Sequence, residues 1–235
     1  MNPASSEHDS NFGWSHLLQQ GDAITLCVAL ILLTMSILSW FIIISRFINL
    51  YRMKPFIKEI HLFWKKSAWQ DGLTAFTNQD TNPFYQIANH AHVILQEQQM
   101  GANHPKQIPL SNQIPQEDWL SSRLKGELDQ IIGQIQKGLA VLASTGATAP
   151  FIGLFGTVWG IYHALMTIGS SGSASLDQVA GPIGEALVMT GLGLAVAIPA
   201  VLGYNALSKA NKDVVQHLRR FTDDLHTFLT QHERM

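Results

Sequence analysis

Charge is what this sequence has least of. Only 14% of its 235 residues are Asp, Glu, Lys or Arg, against 46% hydrophobic. Soluble domains run nearer a quarter charged, so the deficit points to lipid. Three stretches hold no charge at all: Ala23 to Ser45, Gly138 to Leu176 and Ala186 to Ser208. A hydrocarbon core of about 30 Å takes about 20 helical residues, so each stretch is long enough to span. Cysteine is nearly absent as well. The single Cys27 lies within the first run, which excludes an intrachain disulfide and any multi-cysteine metal cluster. No repeat of 20–50 residues is present. Basic residues are missing from residues 1–22 and from Gly169 to Glu185. The N-terminus therefore lacks the basic start of a secretory signal peptide, and the first apolar run is too long for one.

The fifteen Lys and Arg fall between Arg46 and Lys66, Lys106 and Lys137, and Lys209 and Arg234. Basic residues near span ends stay on the cytoplasmic side. The resulting layout is a periplasmic N-terminus (residues 1–22), a first span (23–45), a cytoplasmic helical region (46–137), a second span (138–168), a periplasmic loop (169–177), a third span (178–208) and a cytoplasmic C-terminal helix (209–235). The fold class this predicts is an all-α membrane protein whose three transmembrane helices extend into a cytoplasmic helical bundle.

The spans differ in character. The first is rich in Leu, Ile, Phe and Trp and has no glycine, as suits a helix facing lipid. Arg46–Arg52 is expected to continue it as far as Pro55. Asn82-Pro83 reads as a helix start, followed by Phe84, Ile87, Ala91, Ile94 and Leu95 at helical spacing. Pro105, Pro109 and Pro115 mark 101–116 as a loop. From Glu117 the apolar face Leu120, Leu124, Leu128, Ile131, Ile135 and Leu139 predicts one long helix rising into the second span without a stop. The tail repeats the pattern at Val214, Leu218, Phe221, Leu225 and Phe228. The second and third spans carry Gly146, Gly153, Gly156 and Gly160, then Gly191, Gly193, Ala195 and Ala197. Pairs four apart, such as Gly156/Gly160 and Gly191/Ala195, let backbones approach closely. Bundle packing alone would also select such residues.

Glu185 is the one carboxyl flanked on both sides by membrane-length sequence. Inserting it charged costs roughly 2.5 kcal/mol or more, so such a group faces a cavity, has a partner or is protonated. A second reading is an acid near the outer helix end, favoured by the dipole. Thr157 and Thr190 place hydroxyls at intermediate depth in antiparallel spans; taken singly, each reads as a hydroxyl bonded back to its own helix. His163 reads equally as proton relay or packing group. His90 and His92 lie on different helix faces, which argues against metal pairing. No phosphate-binding loop lysine and no nucleophile–base arrangement is present. An enzyme is therefore not expected.

The runs Ala149-Pro-Phe-Ile-Gly-Leu-Phe-Gly-Thr157-Val-Trp-Gly-Ile161 and Gly181-Pro-Ile-Gly-Glu185-Ala-Leu-Val-Met-Thr190, continuing to Asn205, resemble the ExbB/TolQ/MotA family of proton-channel proteins. The resemblance spans about Ala143 to Leu207. It implies a pentameric ring around a central pore lined by the second and third spans, with Glu185, Thr157 and Thr190 as the proton pathway. It also implies a dimer of a single-span, ExbD-like or TolR-like partner in the pore, and a TonB-like energy transducer in the inner membrane. No cofactor, metal or nucleic acid is implied. Val188–Asn205 looks more like the ExbB branch, which energises uptake of iron-siderophores and vitamin B12. His163 stands where the TolQ branch, which drives TolA and envelope constriction, can also carry histidine. A secondary transporter would need inverted repeats, and three spans without one argue against it. A passive membrane scaffold would make Glu185 a helix-end group only.

Overall fold

Helix begins at Ala23 and is not stopped by the first proline it meets. In the computed structural model, which describes residues 23–102, 116–171 and 176–232, α1 runs Ala23–Trp64 with Pro55 inside it. The expected end at Pro55 is thus a full two turns early. Proline removes one backbone donor, but Phe56 and Phe63 beyond it are 4% and 5% exposed, and their burial carries the helix through. α2 is a short turn of helix, Trp69–Leu73; α3 is Pro83–Ala102; α4 is Gln116–Gln136; α5 is Leu139–Ser171; α6 is Leu176–His232. α6 has 57 residues, about 85 Å of helix, and absorbs both Pro182 and Pro199. The expected N-terminal segment 1–22, most of the 101–116 loop and residues 172–175 of the external turn lie outside the described residues.

The described residues are all-helical, and three helices among them are long and apolar enough to cross a membrane: they start at Ala23, Leu139 and Ala180. The expected unbroken helix from Glu117 into the second span is not found. α4 and α5 are separate, parted at Lys137 and Gly138, where Gly138 adopts φ 91°. Glycine carries no Cβ to oppose that left-handed conformation, which ends a helix.

Two compact units result. One comprises residues 1–43 and 140–204, the other 44–139 and 205–235. In the second, Leu128, Ile131 and Ile135 of α4 pack with Phe84 and Ile87 of α3, Phe56 and Phe63 of α1, and Val214, Leu218, Phe221 and Leu225 of α6. The helical faces expected from residue spacing are those buried: Leu120 and Leu124 are 1% exposed and Ile94 fully enclosed. Asn82 caps α3, its Oδ1 accepting Phe84 N at 3.0 Å and Tyr85 N at 3.4 Å. Its amide in turn donates to Glu59 Oε2 at 2.9 Å and to Thr77 O at 3.2 Å. Glu59 also accepts from the Thr77 backbone N–H and hydroxyl. A buried carboxylate without such donors would be expensive.

In the unit of residues 1–43 and 140–204, the core is small: Val28 and Leu32 of α1, Ala149 of α5, and Met189, Val196 and Ala197 of α6. Around it the surface is apolar. Leu30, Leu33, Ile37 and Phe41 of α1 are exposed, as are Phe151, Phe155 and Val158 of α5 and Leu187, Ile198 and Leu202 of α6. A soluble domain does not leave such continuous apolar faces open to water. Cys27 is exposed on α1, beside this apolar surface.

Candidate functional site: a hydroxyl pair and a carboxyl on two crossed helices

α5 and α6 run antiparallel and cross with their backbones touching. A Cβ on Gly153 would stand 2.6 Å from Met189 O and 3.0 Å from the Cα of Gly193; a Cβ on Gly193 would stand 2.7 Å from Ala149 O and 3.0 Å from the Cα of Gly153. Only glycine at both positions permits that approach. One turn further along α5, a Cβ on Gly156 would meet Val28 and Met189 at 3.0 and 3.1 Å, and one on Gly160 would meet Ala186 Cβ at 2.8 Å. The expected Gly156/Gly160 pair thus faces a neighbouring helix. The expected Gly191/Ala195 pair does not: both residues are exposed and Gly191 faces open space. The spacing rule selects the helix but not the face, because α6 carries small residues on more than one face. Gly193, two residues on, makes the crossing.

The close approach brings Thr157 and Thr190 together. Thr157 is 7% exposed. Its hydroxyl lies 3.2 Å from its own helix's Gly153 O, 3.0 Å from Ala186 O across the crossing, and in hydrogen-bonding contact with the Thr190 hydroxyl. The expectation of a simple back-bond is met in part, and the cross-helix bonds extend it. Thr157 has one proton to give. If Thr190 donates into a Thr157 lone pair, the Thr157 hydrogen is left for the two carbonyls, and every group is satisfied.

Glu185 is half-buried on α6, immediately before the Ala186 whose carbonyl the Thr157 hydroxyl reaches. At helical spacing below it come Met189, 1% exposed, the half-buried Leu192 and Val196, 9% exposed. These pack in the unit's core. The carboxyl therefore stands at the end of the packed apolar stripe of its helix, and the flank beside that stripe, with Gly184, Val188, Gly191 and Ala195, is exposed. The structure thus joins Thr157 to Thr190 directly and sets Glu185 one residue from the carbonyl that Thr157 reaches. His163 is exposed on α5.

The other titratable candidates part company with this site. His90 Nδ1 lies 3.9 Å from Glu127, and His92 Nε2 is 3.2 Å from Gln96 and stacks on Trp69. Among the described residues no three of His, Cys, Asp and Glu gather as metal ligands would. Sequence reasoning missed the Gly153–Gly193 contact. A usable signal was there: once Thr157 is set opposite Thr190 in antiparallel register, Gly153 and Gly193 fall opposite one another.

The profile of the MotA/TolQ/ExbB proton channel family matches residues 90–220. The match takes in α5, α6 as far as residue 220 and all three site residues. The chain belongs to the MotA/TolQ/ExbB proton channel family. Within it, the chain is 37% identical to the biopolymer transport protein ExbB of Xanthomonas campestris pv. campestris, over 96% of this chain and 92% of that one. It is 38% identical to the biopolymer transport protein ExbB of Neisseria meningitidis, over 91% of this chain and 95% of that one. It is 32% identical to the Tol-Pal system protein TolQ of Haemophilus influenzae, over 86% of this chain and 87% of that one. For a proton channel family, crossed glycine-rich helices bearing an intramembrane carboxyl are the features that call for a functional account.

Proposed function

We propose that this chain is the proton-channel subunit of an inner-membrane motor that uses the proton motive force to energise TonB-dependent outer-membrane uptake of iron-siderophores and vitamin B12. The observation that carries the proposal is Glu185 at the end of an apolar stripe, beside the Thr157–Thr190 hydroxyl pair. A proton motor needs a group that is charged when it faces water and neutral when it does not. Within α6 no second carboxyl or basic side chain continues the path until Lys209, some 24 residues further on. A proton on Glu185 passes on by water, by the Thr157 and Thr190 hydroxyls, or by a carboxyl supplied by another chain. This favours a pentamer holding a dimer of a single-span ExbD-like partner in its pore, with a TonB-like transducer taking up the work.

The positive-inside distribution supports a periplasmic N-terminus and a cytoplasmic C-terminus. The membrane layout that follows has spans at 23–45, 138–168 and 178–208, with 46–137 and 209–235 in the cytoplasm. The ExbB relatives match at higher identity and over more of the chain than the Haemophilus TolQ, which supports the uptake branch. The TolQ branch, driving TolA in envelope constriction and integrity, is the second reading, favoured by the 32% identity that the chain shares with that protein.

Complementation separates the two. Expressed with its single-span partner, the chain should restore iron-siderophore uptake to cells lacking ExbB and ExbD, and should leave the detergent sensitivity of cells lacking TolQ and TolR uncorrected. The reverse pattern would assign it to the TolQ branch, and restoration of neither would reject the motor.

A further inference from the structure

The chain enters its second span through a break. α4 ends at Gln136, Gly138 is left-handed at φ 91°, and α5 begins at Leu139. The boundary between the two compact units falls immediately afterwards, between Leu139 and Ala140. The last carbonyls of a helix have no partner within it, and α4 has no basic residue in its last turn to cover them. Gln134 O accepts the Lys137 backbone N–H at 3.4 Å, and two side chains far away in sequence add to that cover. Arg46 Nη1 donates to Gln134 O at 3.2 Å, and Asn211 Nδ2 donates to Ile135 O at 3.2 Å.

These donors come from the other two helices that pass between the units. Arg46 lies on α1, two residues past the boundary at Ile44, and Asn211 lies on α6, six residues past the boundary at Asn205. Asn211 is only 5% exposed. A buried amide is costly unless it bonds. The guanidinium of Arg46 adds a cation at the negative end of the α4 dipole. Here side chains of α1 and α6 reach two of these carbonyls, so the last turn of α4 is tied to both helices.

We infer that Gly138 is a hinge and that Arg46 and Asn211 are the latch on it. With the latch closed, the last turn of α4 is fixed to α1 and α6. With it open, α5 changes direction at Gly138 while α4 stays wound. Because α5 carries Thr157, the latch couples the cytoplasmic bundle to the proton pathway; this coupling rests on the proposed channel function.

The test uses the full chain with its single-span partner in lipid vesicles, read in two ways: amide hydrogen exchange over residues 136–142, and partner-dependent proton flux. Arg46→Leu and Asn211→Leu should each speed exchange over 136–142 tenfold or more, with residues 120–130 and 151–159 unchanged and complex levels normal. Flux should fall several-fold. Arg46→Lys, which keeps a cation within reach of the carbonyls, should recover most of both. Unchanged exchange in Arg46→Leu would overturn the latch, and this variant decides the matter if Asn211→Leu fails to assemble. Faster exchange with normal flux would also overturn the proposal, reducing both side chains to helix caps. If wild-type vesicles show no partner-dependent flux while Arg46→Leu still speeds exchange, the channel function fails and the hinge and latch stand.

Discussion

In the unit of residues 1–43 and 140–204, helices meet at glycine and hydroxyl; in the unit of residues 44–139 and 205–235, they meet at aromatic rings. The first brings α5 and α6 together at Gly153 and Gly193 and ties them by Thr157 and Thr190. The second surrounds Phe221 with Phe63, Phe76 and Phe84 at centroid distances of 5.6, 6.2 and 5.7 Å, all steeply inclined. The solvent accounts for the difference. Helices in water associate by removing apolar area from it, and edge-to-face rings add to that gain. Helices in lipid gain nothing from apolar burial against one another, so they rely on close backbone contact and interhelical hydrogen bonds. The exposed Leu30, Leu33 and Phe41 beside the small core of the first unit, and the enclosed Phe84 and Leu225 of the second, follow the same division.

That contrast can be broken at its strongest point by Phe221→Ala, which empties the centre of the aromatic core. It should cost about 3–5 kcal/mol in unfolding of that unit, read as a lower unfolding temperature with exchange protection in α5 unchanged. Gly153→Ala should cost about 1–3 kcal/mol, because the new methyl meets the Met189 carbonyl and not a flexible side chain. Gly191→Ala, on the same helix as Gly193 but facing open space, should be silent in the same detergent-unfolding assay. Equal effects at Gly153 and Gly191 would mean that the crossing is misplaced. Asn82→Ala removes a helix cap and one of the three hydrogen-bond donors to the Glu59 carboxylate; about 1–2 kcal/mol of stability should go, with melting of α3 in the exchange pattern. Thr190→Val should have the smallest effect of those that register, about 0.6 kcal/mol, the usual size of one interhelical hydrogen bond in a membrane. It should reduce proton flux only modestly, since water can take the place of a hydroxyl.

Much of this organisation is legible in the residues. The apolar faces of α3, α4 and the end of α6 follow from 3.6-residue spacing, because each is one-sided. Charge-free runs locate the three helices of spanning length for the same one-dimensional reason. The stops are less legible. Pro55 invites a helix end but the packing of Phe56 and Phe63 overrides it, whereas the real break at Gly138 is marked only by a glycine in a run of many. Glu185, Thr157 and Thr190 can be picked out singly as polar groups in apolar surroundings, but that Thr157 reaches Ala186 O depends on how two helices cross, which no single stretch encodes. The same holds for Gly193 against Gly191: small residues occur on more than one face of α6, and only the partner helix selects one. Arg46 and Asn211 lie 165 residues apart and meet at one helix end, a juxtaposition invisible to local pattern.

The account's central claim is that Glu185 carries the proton. The direct measurement is decay of an imposed pH gradient in vesicles holding the complex with its single-span partner, comparing wild type with Glu185→Gln. Glutamine keeps the size and the hydrogen bonding and removes the titration. The account predicts normal complex levels, an unchanged unfolding temperature and loss of partner-dependent flux to the level of vesicles lacking the partner. Near-normal flux in Glu185→Gln at normal complex levels would contradict it, leaving Glu185 as a helix-end acid and the proton path elsewhere.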